Sequence, residues 1–139
     1  MKRGSAIIGV LAICFLLSFL LAGCTMLSEE RIKLRDLEFT VLSEEKIPQE
    51  LLTIITEKKS EPFKLTFSDN EYLYISIGYG EQATGGYSIA VNELYLTDSA
   101  IYVNTSLLGP EAAVQGENAP SYPYIVLKTE YLDETVVFE

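Results

Sequence analysis

The chain has 139 residues, with 10 Lys and Arg against 20 Asp and Glu, a formal charge of −10 and no histidine. Such an acidic surface repels phosphate backbones, so nucleic-acid binding is not expected. Without histidine, the usual general base, the Ser-His-Asp and Cys-His pairs and nearly all common zinc sites are missing. A carboxylate pair or Ser-Lys dyad remains formally open, but the acids are scattered and no serine stands in a Gly-x-Ser-x-Gly elbow. The expectation is a protein that is not an enzyme and takes no cofactor and no metal.

Lys2 and Arg3, an apolar stretch over residues 6–21 and the closing Leu21-Ala22-Gly23-Cys24 follow the order of a secretory signal over residues 1–23. Those last four residues resemble the lipobox of bacterial lipoproteins, in which the cysteine thiol receives a diacylglycerol. The resemblance implies a mature protein that starts at Cys24, carries palmitate-type acyl chains and sits at the extracytoplasmic face of the cell membrane. Two acyl chains anchor stably where one binds only marginally. Residues 4–23 are also just long enough to cross a bilayer uncleaved, but a cysteine directly after Leu-Ala-Gly favours cleavage.

Cleavage before Cys24 leaves 116 residues (139 less 23), enough for one small domain and a tether. Losing Lys2 and Arg3 leaves 8 cations against 20 acids, a charge of −12. Cys14 goes with the signal and Cys24 is acylated, so the folded part has no disulfide and no thiol nucleophile. Residues 24–36 read as a lipidated N-terminus and polar tether, with residues 25–36 reaching at most ~40 Å. Residues 37–139 read as a single β-rich domain.

Leu37, Phe39 and Val41 alternate with Glu38 and Thr40, the period of a half-buried strand. From Pro48 the period becomes helical, with Leu51, Leu52, Ile54 and Ile55 on one face, Glu50 near the start and Lys58 and Lys59 near the end. This predicts one short helix near residues 48–58. After Glu61-Pro62 the pattern is β: Phe63, Leu65 and Phe67 share a face, and Ser68-Asp69-Asn70-Glu71 is a turn. Those acids lack the regular spacing of a calcium loop and read as a solvated turn. The next strand, residues 72–79, puts Leu73, Ile75 and Ile77 on its core face and Tyr72 and Tyr74 on what reads as an exposed face. Residues 87–96 change phase between Val91 and Leu94, which predicts a bulge near Asn92-Glu93. A turn at Thr97-Asp98-Ser99-Ala100 leads to Ile101, Val103, Thr105 and Leu107. A loop over residues 109–121 precedes strands at residues 124–129 and 135–138. About seven short strands and one helix predict an antiparallel β-sandwich or partly open barrel, mainly β, with the helix covering one end or edge.

Gly78-Tyr79-Gly80-Glu81-Gln82-Ala83-Thr84-Gly85-Gly86-Tyr87 places four glycines in ten residues between two strands. A phosphate cradle would have to open a helix, and here a strand follows without a Gly-Lys-Ser/Thr. Two readings remain. In one, Gly85 and Gly86 take positive φ in a hairpin turn while Gly78 and Gly80 allow a bulge or close approach. In the other, the loop is a contact surface on a rigid sheet. All nine tyrosines lie after residue 71, and no Lys or Arg occurs over residues 65–127. Tyrosine is enriched at interfaces, which makes Tyr79, Tyr87, Tyr122 and Tyr124 candidate partner contacts; it also suits a half-exposed sheet face.

The segments Gly80-Glu81-Gln82-Ala83-Thr84-Gly85-Gly86-Tyr87-Ser88-Ile89 and Ser121-Tyr122-Pro123-Tyr124-Ile125-Val126, with Pro110 between, resemble the C-terminal domain of the protease complex subunit PrcB family over about residues 70–139. That family takes its name from a subunit that associates with and stabilises a surface subtilisin-like serine protease, and its members are typically small secreted or lipid-anchored proteins. The resemblance implies a protein partner, an exported serine protease, and marks Thr84, Gly85, Gly86, Tyr87, Pro123 and Tyr124 as the positions to watch. Where the family often has a basic residue and a proline before the Thr-Gly-Gly-Tyr turn, this chain has Gln82 and Ala83. The leading expectation is a non-catalytic, membrane-anchored accessory subunit. The alternatives are a protease inhibitor of immunoglobulin-like fold and a cell-wall or adhesion module.

Overall fold

Among the described residues, eight strands and one α-helix follow in the chain order that the hydrophobic periods predict, with one strand more than expected. The computed structural model describes residues 31–111 and 119–139, so the signal, Cys24, most of the tether and part of the 109–121 loop lie outside the described residues. The elements are β1 (Lys33–Asp36), β2 (Phe39–Val41), a single 3-10 turn at Glu44–Lys46, α1 (Gln49–Lys58), β3 (Pro62–Ser68), β4 (Tyr72–Tyr79), β5 (Ser88–Thr97), β6 (Ala100–Leu108), β7 (Tyr124–Glu130) and β8 (Thr135–Phe138). They form two four-stranded sheets, ordered β1-β5-β6-β8 and β2-β7-β4-β3. The β-sandwich expectation is met, and no closed barrel forms.

The core lies between the sheets. Leu73, Ile75 and Ile77 of β4 and Ile125 and Leu127 of β7 meet Leu94 of β5 and Ile101 and Val103 of β6. Burying side chains of this size contributes roughly 1.5–3 kcal/mol each before entropy is counted. A second cluster lies on the outer face of the β2-β7-β4-β3 sheet, where Leu51 and Ile55 of α1 pack with Ile47, Phe63, Tyr74 and Val126. Pro48, with φ −51°, stands at the N-cap, Glu50 is in the first turn and Lys58 in the last, so the helix falls where its end signals put it. It covers a sheet face, however, and not the end or edge expected.

That cover changes the status of β4. Both of its faces are buried, and Tyr74 is only 5% exposed. The expected exposed patch of Tyr72 and Tyr74 does not exist: Tyr72 is half-buried beside the helix cluster, with Lys128 Nζ 3.8 Å above its ring. The alternation of β4 identified one core face and gave no sign that a helix packs on the other.

Three further differences concern the edges. Lys33–Asp36, expected in the tether, pairs antiparallel with β5 as β1. Phe39 and Val41 are 39% and 53% exposed although they alternate with Leu37, which is buried. Paired with Thr129 and Leu127 they face the inter-sheet side, but β2 is a three-residue edge strand and its side chains project at the rim. β8 runs parallel to β6, with Ala100 opposite Thr135 and Val103 opposite Phe138. The chain leaves β7 in one sheet and joins the other in a single crossing, so this pair departs from the antiparallel expectation.

The predicted bulge is present: the β5–β6 register shifts between Val91 and Glu93. The extra residue, Asn92, donates through Nδ2 to Asn104 Oδ1 and Ser106 Oγ, both at 2.7 Å. Cross-strand side-chain bonds thus hold the slip in place.

Candidate functional site

The glycine-rich segment begins as structure and ends as surface. Gly78, in β4, lies directly opposite Phe63 of β3, and a Cβ there would overlap the Phe63 ring. Its glycine permits the close approach that the spacing suggested. Gly80, with φ +75°, turns the chain out of β4 against Pro62, and Glu81 N–H then donates to Ser60 O at 3.2 Å. Of the Gly85-Gly86 pair only Gly86 has positive φ, +85°, and a Cβ on it would come within 2.9 Å of Pro110 Cβ. The turn is therefore not a two-glycine hairpin but a loop folded against the end of β6.

The loop is fastened by the chain that leads into β7. Gln82 and Ser121 form an isolated antiparallel bridge, with Gln82 N–H donating to Ser121 O at 2.8 Å and Ser121 N–H to Gln82 O at 3.0 Å. Ser121 Oγ–H also donates to Thr84 O at 2.6 Å. Gln82 Nε2 donates to Tyr79 O at 3.2 Å, and Tyr79 N–H to Pro123 O at 3.0 Å. Tyr122 O–H donates to Glu81 Oε1 at 3.2 Å, which raises the Tyr122 phenol above its ordinary value, and Lys59 Nζ stands 5.7 Å from the ring centroid. Two segments 37 residues apart are thereby joined into one pole of the sandwich.

This pole gathers Thr84, Gly85, Gly86, Tyr87, Tyr122, Pro123 and Tyr124, the residues singled out from the sequence, but gives them different surroundings. Tyr79 turns inward: it packs against the inter-sheet core, and its hydroxyl is 2.6 Å from Thr105 Oγ1. Tyr124 packs against the helix-side cluster, and burial pushes its phenol up. Tyr87 is half-buried near Gly109. Tyr122, at 37%, is the most exposed of these tyrosines, and Leu108, at 50%, stands out from the adjoining end of β6. Leu108 and Lys59 belong to the same pole and carried no site signal in the sequence; Gln82, Pro110 and Ser121 were visible only as parts of the family resemblance. Cys24 lies outside the described residues.

Beside the pole, the open side between edge strands β3 and β8 holds a cleft of about 470 Å³ lined by Pro62, Lys64, Ile77, Tyr79, Val103 and Phe138. Among the described residues no group of three or more His, Cys, Asp or Glu is placed to hold a metal ion.

Fold and site together define a helix-backed β-sandwich whose distinguishing surface is a braced loop at one end, a scaffold suited to recognition. Residues 73–130 match the family model described as PrcB C-terminal. The match runs from β4 to the end of β7 and contains the glycine loop and both motifs, so the resemblance read from them is borne out over this segment. No curated protein and no solved structure matches the chain.

Proposed function

We propose that this protein is an envelope lipoprotein, acylated at Cys24, that acts as a non-catalytic accessory subunit and binds an exported serine protease through the loop pole. The observation that carries the reading is the brace. Ser121 and Gln82 draw the two family motifs into one rigid loop and leave Thr84, Gly86, Tyr122 and Leu108 around its surface. A loop held by backbone bonds from a distant segment loses little entropy on binding, which favours recognition. Tyr122 is the anchor in this reading, since an exposed aromatic ring with a hydroxyl serves both apolar and polar contact.

The test is capture of envelope proteins on the mature domain, compared with the Tyr122→Ala variant. The native domain is expected to retain a protease and the variant to lose it at unchanged melting temperature. Equal capture by both would remove the loop pole as the contact. The rigidity of the loop also suits a second reading, a protease inhibitor. The sign of the effect separates the two, because a stabilising subunit prolongs protease lifetime whereas an inhibitor lowers activity in proportion to the amount added.

A further inference from the structure

The two long sides of the sandwich are built differently. On one, β1 and β2 lie in different sheets with only Leu37 and Glu38 between them, so the chain itself crosses the gap and buries Leu37 there. On the other, the edge strands β3 and β8 also belong to different sheets but come from distant parts of the chain, and between them lies the cleft of about 470 Å³, within the ~300–1,000 Å³ range of small-molecule sites. β3 and β8 both stand outside the matched residues 73–130. The walls are mostly apolar: Ile77 and Val103 are buried on opposite sheets and Phe138 is half-buried. The polar side chains on them are engaged, with one exception. Tyr79 Oη and Thr105 Oγ1, 2.6 Å apart, satisfy each other. Glu139 lines the β8 rim, donates through its N–H to Val103 O at 2.9 Å and has a further partner of its own. The exception is Lys64, the one cation over residues 60–127. Its register opposite Ile77 sets it on the inter-sheet face of β3, with Nζ 5.8 Å from the Phe138 ring centroid. Among the described residues it forms no ion pair.

We propose that this cleft binds an amphipathic monoanion, in its simplest form an alkyl carboxylate, with the alkyl chain between the sheets and the carboxylate at Lys64. Neither the lipid anchor nor the accessory role is needed for it. An alkyl chain suits a slot between two sheet edges because it asks for no hydrogen bonds from the apolar walls, and each methylene moved out of water there strengthens binding about fourfold. The sign of the head group follows from charge. An ammonium without a carboxylate partner, in a chain of formal charge −10, is complementary to an anion, whereas the acid on the opposite rim, Glu139, is already engaged. An exposed ion pair of this kind adds roughly twofold to fivefold in affinity. The chain thus supplies most of the binding, and Lys64 supplies the choice of head group.

The test uses the full-length protein in phosphatidylcholine vesicles and two photoreactive probes, decanoic acid with a diazirine in mid-chain and the matching alcohol, with the labelled residues read by mass spectrometry. Labelling by the acid is expected at residues 62–64, 77–79, 103–105 and 138, and unlabelled acids from hexanoate to decanoate should compete about fourfold better per added methylene. Lys64→Gln, at an exposed position, should lower labelling by the acid roughly twofold to fivefold and leave labelling by the alcohol and the melting temperature unchanged. Comparing each probe between native protein and variant removes differences in how the probes partition into the vesicles. If Lys64→Gln alters both probes alike, or neither, the assignment of the head group to Lys64 is overturned. Labelling that misses the cleft, or spreads over the whole surface, overturns the site itself.

Discussion

The two poles are built by opposite means. At the end opposite the glycine loop, the entry pole, where β1 begins with Lys33 opposite Thr97, the turns at residues 69–71 and 97–100 are closed by their own residues. Asp69 Oδ1 accepts from the N–H groups of Glu71 at 3.1 Å and Tyr72 at 2.8 Å, and Asp69 Oδ2 from Tyr74 O–H at 3.1 Å. Thr97 Oγ1 donates to Ala100 O and accepts from the N–H groups of Ser99 and Ala100. At the loop pole the fastening bonds join Gln82 and Thr84 to Ser121, Glu81 to Ser60 and to Tyr122. Local bonds make turns whose shape is set within a few residues; distant bonds make a loop whose shape depends on the finished fold. The difference teaches that the family motifs encode a joint between two parts of the chain, and that their surface residues are displayed by it.

Substitutions should separate the poles. The largest effect is expected at the floor of the loop pole, where Gly78→Ala would force the Phe63 ring off the sheet; overpacking of this kind costs about 1–3 kcal/mol. Urea unfolding should show the loss as a lower midpoint at unchanged slope. Gly86→Ala should follow: the residue has φ +85° and Pro110 lies against it, and left-handed backbone costs a non-glycine residue roughly 1–2 kcal/mol. Here amide exchange should quicken around residues 82–87 before any change at residues 97–100. If both poles lose protection together, the loop is not an independent unit.

Ser121→Ala removes one donor to Thr84 O and should cost about 1 kcal/mol, with faster exchange confined to the same loop. The smallest effect belongs to the entry pole and depends on pH. Donation by Tyr72 N–H, then by Glu71 N–H and Tyr74 O–H, holds the Asp69 carboxyl below its ordinary value against a weaker opposing effect of desolvation. Its folded-state value is thus lower than its unfolded one, so its contribution is present above about pH 4 and fades as the pH falls through the folded value. Asp69→Asn should flatten the acid limb of a stability-against-pH curve and leave exchange at the loop pole unchanged. On the alkaline side the sign reverses. Burial, and then the bond to Asp69, raise the Tyr74 phenol, so its contribution is present below about pH 10 and is lost above it.

Legibility in the sequence follows the same division. The helix, the turns at residues 69–71 and 97–100 and the bulge at Asn92 were readable because their signals lie within a few residues of the structure they make. β1 was not, since Lys33–Asp36 carries a tether's composition and becomes a strand only because β5 offers it an edge. Burial of Tyr74 was missed for a related reason: its periodicity reports that two faces differ, not whether a helix covers the second. In the candidate site, the motif residues could be named but not sorted. Tyr79, Tyr122 and Tyr124 look alike in sequence, and the fold packs the first against the inter-sheet core, leaves the second at the surface and sets the third beside the helix.

What this chain's sequence determines alone is what short-range chemistry can specify: a β-rich domain without histidine chemistry, its turn positions, the helix Gln49–Lys58 and the two motifs it shares with the matched family model. Only the tertiary structure decides that those motifs meet, that Ser121 closes the loop over Thr84, and that the chain enters at the pole opposite to it. The physical reason is that a side-chain bond across 37 residues and packing on a second sheet face are set by the free energy of the whole fold, to which no local pattern of residues gives access.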